Sequence, residues 1–250
     1  MKVYLAGLNT IATYASDGFF EEKKPYTLES FYTISKKAVQ RIPLCSSFML
    51  DSGAFTFMYS KNRPDITWHQ YVQNYAEFIN KYNIDLFFEL DIDALVGYDK
   101  VKELRKELEI LTHKKPIPVW HYSRGKEEFI RMCQEYDYVA IGGLVQGKSK
   151  EYSRDYWKYF PWFINTAHKY GAKIHALGFT SISGIKTYHF DSVDSTSWIA
   201  GNKAGFAYVY KDGNVEKIET SKGQRAYADK LYLHNYSEWC KFQKWADIHL

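Results

Sequence analysis

The sequence predicts an α/β fold, a compact (β/α)8 barrel whose last unit is modified into a hairpin followed by a C-terminal helix. Three observations lead there. Seven short apolar runs are separated mostly by stretches with helical spacing. The runs are near-continuously apolar rather than alternating, as parallel strands covered on both faces are. No glycine-rich fingerprint follows the first run, which counts against a doubly wound open sheet. With no internal repeat, low-complexity segment or linker, residues 1–250 read as one domain.

The elements follow in order. Val3 to Leu8 reads as the first strand, Tyr14 to Lys24 as a loop, and Leu28 to Gln40 as a helix by its spacing. Ser47-Phe48-Met49-Leu50 is a strand ending on Asp51-Ser52-Gly53-Ala54-Phe55. Thr67 is a candidate N-cap for a helix running to about Tyr82. Leu86 to Leu90 is a strand ending on Asp91-Ile92-Asp93, and a charged helix spans Asp99 to Leu111. Ile117 to Trp120 ends on His121, and Glu127 to Glu135 is a short helix. Tyr138 to Ile141 ends on Gly142-Gly143-Leu144, and a helix from Tyr156 to Tyr170 is stopped by Gly171. Lys173 to Leu177 ends on Gly178, and Tyr188-His189-Phe190 on Asp191. Lys211-Asp212-Gly213-Asn214 is a hairpin signal between Gly205–Tyr210 and Val215–Glu219, and the chain turns helical from about Arg225.

Composition narrows the class. The 250 residues can bury a real core, and 46% hydrophobic with 25% charged residues is ordinary for a globular protein. The aromatic share of 18% is high, and a net charge of +4 is a mild bias toward anionic partners. Cys45, Cys133 and Cys240 are scattered and form no CxxC, which argues against a disulfide framework or a cysteine-rich zinc site. No apolar run has membrane-spanning length and the N-terminal run is too short for a secretory signal, so a cytoplasmic protein with no membrane partner is expected.

The strand ends carry the chemistry. In a barrel the C-terminal ends of the strands surround one site. Here they supply Asp51, Asp91, His121, Gly142, Gly143, Gly178 and Asp191. Each alone suits a turn or a cap; together they predict a shared rim of three carboxylates without Lys or Arg. Such a rim suits a nucleophile, a general acid/base and a hydrogen-bond acceptor. Gly142-Gly143 would let backbone N–H groups approach a flat ligand, and Phe55, Trp120 and Tyr122 could stack on it or pack in the core.

Several segments resemble the tRNA-guanine transglycosylases. Asp51-Ser52-Gly53-Ala54-Phe55 is similar to that family's DSGGFQ, Gly142-Gly143-Leu144 to its GGL, Ala176-Leu177-Gly178 to its LMG and Phe190-Asp191-Ser192-Val193-Asp194-Ser195-Thr196 to its FDCVxPT. Leu90-Asp91 stands where the family has its base-recognition aspartate, and His121 where it has a glutamine. The matches come in the family's order between about Phe48 and Thr196. The resemblance implies a barrel enzyme that replaces guanine in a nucleic acid with a 7-deazaguanine, its small-molecule substrate, through a covalent glycosyl–enzyme intermediate. Asp191 would be the nucleophile and Asp51 the proton carrier, and Asp91, His121, Gly142, Gly143, Leu144, Gly178 and Phe55 would hold the base.

The departures point toward a branch. The family's zinc site of three cysteines and a histidine is absent, because Cys240 is the only cysteine after Cys133, so no metal or other cofactor is expected. GGL is followed by Val145-Gln146-Gly147-Lys148 rather than AVGE, and Asp194-Ser195 replaces a Leu-Pro pair. The short chain resembles the DNA-acting, often phage-encoded branch, so DNA is expected over tRNA. Lys148, Lys150, Lys203, Lys211, Lys217, Lys222 and Arg225 are candidate phosphate contacts or ordinary solvated surface. A tRNA-acting enzyme, a deazaguanine nucleosidase or salvage hydrolase, a metal hydrolase using His121, His175, His189, Asp51 and Asp191, and a non-catalytic nucleic-acid-binding barrel stay open. So do a homodimer and an accessory protein.

Overall fold

The computed structural model describes residues 1–61, 63–143, 157–219 and 228–250. The first half of the chain runs β1 (Lys2–Ala6), α1 (Leu8–Tyr14), α2 (Asp17–Lys23), β2 (Tyr26–Ser30), α3 (Lys36–Arg41), β3 (Ser47–Asp51), α4 (Ala54–Tyr59), α5 (Trp68–Lys81) and β4 (Leu86–Phe87). It continues with α6 (Asp93–Val96), α7 (Tyr98–Thr112), β5 (Val119–Trp120), α8 (Gly125–Glu135), β6 (Tyr138–Ile141), α9 (Phe160–Lys169), β7 (Lys173–Ala176), α10 (Ile182–Thr187) and β8 (Ser192–Ser195). The last unit is α11 (Ser197–Ala204), the hairpin β9 (Phe206–Lys211) and β10 (Asn214–Glu219), and α12 (Ala228–His249).

The first eight strands form one sheet in the order β4-β3-β2-β1-β8-β7-β6-β5, and every pairing in it is parallel. A parallel bridge between Phe88 and Ile117 joins its edges, with Ile117 N–H donating to Phe87 O at 2.7 Å and Glu89 N–H to Ile117 O at 3.1 Å. The sheet is thereby closed, and the fold is a (β/α)8 barrel.

Strand alternation divides the side chains into two cores. Tyr4, Ala6, Leu28, Met49, Phe88, Ile117, Val119 and Ala140 cluster inside the barrel. Their neighbours Val3, Leu5, Val139, Ile141 and Val193 pack instead against the surrounding helices. This parity decides which strand-end residues reach the interior.

Local chemistry sets the helices. Thr67 accepts from Gln70 N–H while the Gln70 side chain accepts from Thr67 N–H, a capping box that starts α5 as expected. Further along α5, Tyr75 donates its hydroxyl to Leu50 O and Phe88 O at 3.1 Å each, tying the helix to β3 and β4. The hairpin lies on α12: Asn235 accepts from Tyr208 N–H at 2.8 Å and Glu238 from Tyr210 N–H at 2.7 Å. Gln243 on α12 bonds Val3 O, Tyr26 O and Tyr26 N–H, holding the N-terminal ends of β1 and β2.

Three expectations are corrected. Most of Tyr14–Lys24 is not a loop: Asp17–Lys23 is a helix, with Ser16 as its N-cap accepting from Phe19 N–H. Tyr26–Ser30 is a strand, not part of a loop-to-helix stretch. Its polar Thr27 and Glu29 are buried, and Glu29 accepts from Asn9 N–H at 2.7 Å. The last barrel strand is Ser192–Ser195, starting four residues later than the expected Tyr188–Phe190. Tyr188 N–H closes α10 onto Gly184 O, and Phe190 packs among Phe160 and Phe179 outside the barrel wall. No helix among the described residues is long and apolar enough to cross a membrane.

Candidate active site

The C-terminal ends of the strands open on one mouth, and Asp51 stands at the end of β3. The chain turns sharply after it through Gly53, whose φ of +65° and close approach to Ser30 and Tyr32 exclude a side chain. Asp51 Oδ2 accepts from Gly53 N–H at 3.2 Å, and Tyr71 on α5 anchors the turn by donating to Ser52 O at 2.5 Å. Burial in the mouth, offset partly by that bond and reinforced by the charges of Asp91 and Asp194, pushes the Asp51 carboxyl up to about 6. A carboxyl in that range can hold or release a proton near neutral pH.

Beyond β4 and β5 lies a charged wall. Glu89 is fully buried, accepts from Val119 N–H at 2.9 Å and pairs with Arg105 at 3.1 Å and Arg124 at 2.8 Å. Burial raises its carboxyl above the ordinary value even though both guanidinium groups pull it down. Arg124, 1% exposed, sits with its guanidinium 4.3 Å above the Tyr98 ring, 3.0 Å from Asp93 and 3.6 Å from Asp91. His121 Nε2 lies 2.6 Å from Asp91 Oδ1. A carboxylate only accepts, so Nε2 donates. Burial opposes the charged imidazole, but the Asp91 hydrogen bond and charge outweigh it and raise the His121 pKa.

The third side comes from β7 and β8. Ser192 and Asp194 share the inward parity. Ser192 Oγ meets the Tyr138 hydroxyl and His175 Nδ1 at 2.5 Å each, and His175 Nε2 lies 3.3 Å from Asp194 Oδ1. The same oxygen accepts from Gly178 N–H at 2.6 Å. Asp194 Oδ2 has no hydrogen bond among the described residues.

The structure brings together Asp51, Asp91, His121, Gly142, Gly143 and Gly178 around this mouth, and sets Asp191 elsewhere. Asp191 precedes β8 at the N-terminal end of the barrel, where it accepts from Ile174 N–H at 2.8 Å and meets His168 Nε2 at 2.9 Å. Because β8 begins one residue later, the mouth receives Asp194, the other carboxylate of the same stretch. The period-two alternation from Ser192 could have found it. The rim also carries a guanidinium, Arg124, contrary to expectation, because the 3-10 turn Tyr122–Arg124 folds back under Asp91 and Asp93.

The glycines also act differently. A Cβ on Gly142 would lie 2.8 Å from His121 Cε1 and Val119 Cγ1, so the ring of His121 occupies the space that the glycine leaves. The Gly142 N–H is spent on Trp120 O at 2.8 Å. Trp120 is buried outside the barrel wall with its indole N–H on Gly125 O at 2.7 Å, so it packs and does not stack on a ligand in the mouth. Phe55, 57% exposed and packed on Tyr59, and Tyr122, 72% exposed, remain on the rim. A cavity of about 440 Å³ beside Tyr122 is lined by Trp120, Lys126, Tyr159, Trp162 and Phe163.

Leu144, Lys148, Lys150, Lys222 and Arg225 lie outside the described residues, as does the side chain of Lys203. Lys217 is exposed, with its ammonium 4.7 Å above the Phe206 ring. Lys211 is exposed at the hairpin turn, which packs on Trp245 of α12 at the far end of the barrel. The five residues expected of a metal hydrolase do not converge: His189 is exposed and Asp191 is at the opposite end. Asp91, Asp93 and His121 instead bring ligand atoms within 4.8 Å of one another. Both carboxylates there are already engaged by Arg124, so a cation would have to displace a buried guanidinium.

No protein-family model matches the chain, and no curated protein matches it. Solved structures do. The chain is similar to "QR15, an Aldolase", with a TM-score of 0.51 and 15% identity over 78% of this chain and 89% of that one. A GH113 beta-1,4-mannanase complex aligns with a TM-score of 0.45 and 13% identity over 71% of each chain. The carboxyl transferase domain from Rhizobium etli pyruvate carboxylase, with pyruvate, aligns with a TM-score of 0.48 and 11% identity over 98% of this chain and 48% of that one. The first of these likenesses shows the barrel fold alone.

Proposed function

We propose that the protein is an enzyme, a base-exchange transglycosylase that replaces guanine in a nucleic acid, DNA in preference to tRNA, with a 7-deazaguanine. The observation that carries the reading is one mouth holding Asp194, with Oδ1 bonded and Oδ2 open, and Asp51, whose carboxyl is raised to about 6. An attacking carboxylate beside a proton-bearing carboxyl is what displacement at a sugar carbon requires.

Asp194 Oδ2 attacks C1′ of the nucleotide as the C1′–N9 bond breaks, its electron pair leaving with guanine. Asp51 gives its proton to the departing base, and an ester joins C1′ to Asp194. The incoming base then loses its N9 proton to Asp51 while N9 attacks C1′ and the C1′–O bond breaks, which restores Asp194. Two displacements retain the configuration. Asp91, held by His121 and backed by Arg124, offers its second oxygen to the amidine edge of the base. Phe55, Tyr59 and Tyr122 supply exposed rings for neighbouring unpaired bases, which supports an extruded or single-stranded target.

The test is transfer of radiolabelled guanine into DNA or bulk tRNA by the parent protein, Asp194→Ala and Asp191→Ala. Label entering DNA in the parent and Asp191→Ala proteins, and absent with Asp194→Ala, is the expected result. Label in tRNA would move the acceptor; no label in either would defeat base exchange. A second reading, metal-assisted hydrolysis, rests on the Asp91, Asp93 and His121 cluster, and a stoichiometric bound metal in purified protein would favour it.

A further inference from the structure

The polar residues inside the barrel form a chain that the reaction scheme leaves unused. It runs from the Tyr138 hydroxyl to Ser192 Oγ, from there to His175 Nδ1, and from His175 Nε2 to Asp194 Oδ1. Tyr138, Ser192 and His175 all point inward from three adjacent strands, β6, β8 and β7. His175 is fully buried, with its ring centroid 5.3 Å from Phe88 and 6.3 Å from Tyr4. Stability alone would fill this layer with branched aliphatic side chains, the usual contents of a barrel interior. A buried imidazole, a serine and a tyrosine retained there have to be fully bonded to be tolerated.

The donors can be assigned. Asp194 can only accept, so His175 Nε2 carries the proton directed at Oδ1. Nδ1 then accepts from the Ser192 hydroxyl, and Ser192 accepts from Tyr138. The order fixes one tautomer of His175 and gives every polar atom from the Tyr138 hydroxyl to Asp194 Oδ1 a partner.

We propose that His175 is a positioning residue that, with Gly178 N–H, clamps Asp194 Oδ1 and so selects Oδ2 as the attacking atom. Ser192 and Tyr138 set the tautomer that lets it do so. This rests on Asp194 being the nucleophile in the reading above. Two donors on one oxygen fix the carboxylate plane and hold the free oxygen toward the mouth. The sugar then meets a single preset oxygen.

Two measurements on the full-length protein test this. Two-bond 15N–1H correlation spectra of the histidine rings should show His175 as the Nε2–H tautomer. That signature should be lost in Ser192→Ala and shifted in Asp194→Asn. In the exchange assay, His175→Leu should lower kcat by ~10–100-fold, the worth of one hydrogen bond to a charged group, with KM unchanged. His175→Gln, whose amide N–H reaches a similar position, should recover most of the loss. The Gln variant, matched to the parent by near-UV circular dichroism, guards against a folding artefact. An Nδ1–H tautomer, or equal kcat for the folded Leu variant, would overturn the proposal. If the parent exchanges no base, the base-exchange reading fails, and the tautomer and its response to Asp194→Asn still decide whether His175 clamps the carboxylate.

Discussion

Asp51 is kept at a cost to stability, and removing its charge should make the protein more stable and less active. Its carboxyl rises from 3.8 to about 6 in the fold. At roughly 1.4 kcal/mol per pH unit, ionising it in the folded state costs about 3 kcal/mol relative to the unfolded chain. The sign follows from the direction. Well below the ordinary value of 3.8, at about pH 3 and under, Asp51 is protonated in both states and costs nothing. As pH rises toward 6 the unfolded chain ionises first, so stability falls; above that the loss is complete.

Asp51→Asn has nearly the same shape and keeps an oxygen for Gly53 N–H, but never ionises. At pH 7.5 the variant should be about 3 kcal/mol more stable by urea unfolding, or higher in Tm by roughly 6–12 °C for a chain of this size. At pH 3 the two proteins should coincide. Other titrating groups are common to both and cancel in the difference. Base exchange by the variant should fall at least ~100-fold, a stability–activity trade at one residue. Equal stability at pH 7.5, or a gap that stays fully open at pH 3, would refute the reasoning.

Three further outcomes are expected. Asp191→Ala should keep base exchange and lose only about 1–2 kcal/mol of stability with its Ile174 bond, whereas Asp194→Asn should cut exchange by roughly 10³-fold or more; the opposite pattern would return the nucleophile to Asp191. Arg124→Met should destabilise by roughly 3–5 kcal/mol in urea unfolding, because Glu89 and Asp93 lose a buried partner; a loss under 1 kcal/mol would show that the wall is not held by charge. Gly142→Ala should cost about 1–3 kcal/mol and shift the His121 ring resonances, since its Cβ would lie 2.8 Å from His121 Cε1; unchanged resonances would contradict the packing.

The fold was legible because most strands announce themselves. Runs such as Leu86–Phe88 and Tyr138–Ile141 are apolar on both faces, and the second ends directly on Gly142. Two strands were hidden for one reason: their buried positions are polar. Thr27 and Glu29 in β2, and Ser192, Asp194 and Ser195 in β8, are buried with partners supplied by other strands or loops, and no local pattern reveals those partners. That hidden strand moved the expected carboxylate from Asp194 to Asp191. Asp51, Asp91 and His121 were readable because each directly follows an apolar run. Arg124 was not, because it lies four residues past its strand and reaches the rim only when the 3-10 turn folds back.

The packing of His121 against Gly142 restricts the order in which this mouth can change. A Cβ at 142 would press on both His121 and Val119 at 2.8 Å, so a side chain larger than alanine there needs both neighbours to give way, and a smaller residue at 121 alone relieves only one of the two contacts. Any evolutionary or engineered path toward a larger side chain at 142 must therefore alter positions 119 and 121 first. A library that randomises positions 121 and 142 at once should return mainly glycine at 142 wherever it returns a ring at 121.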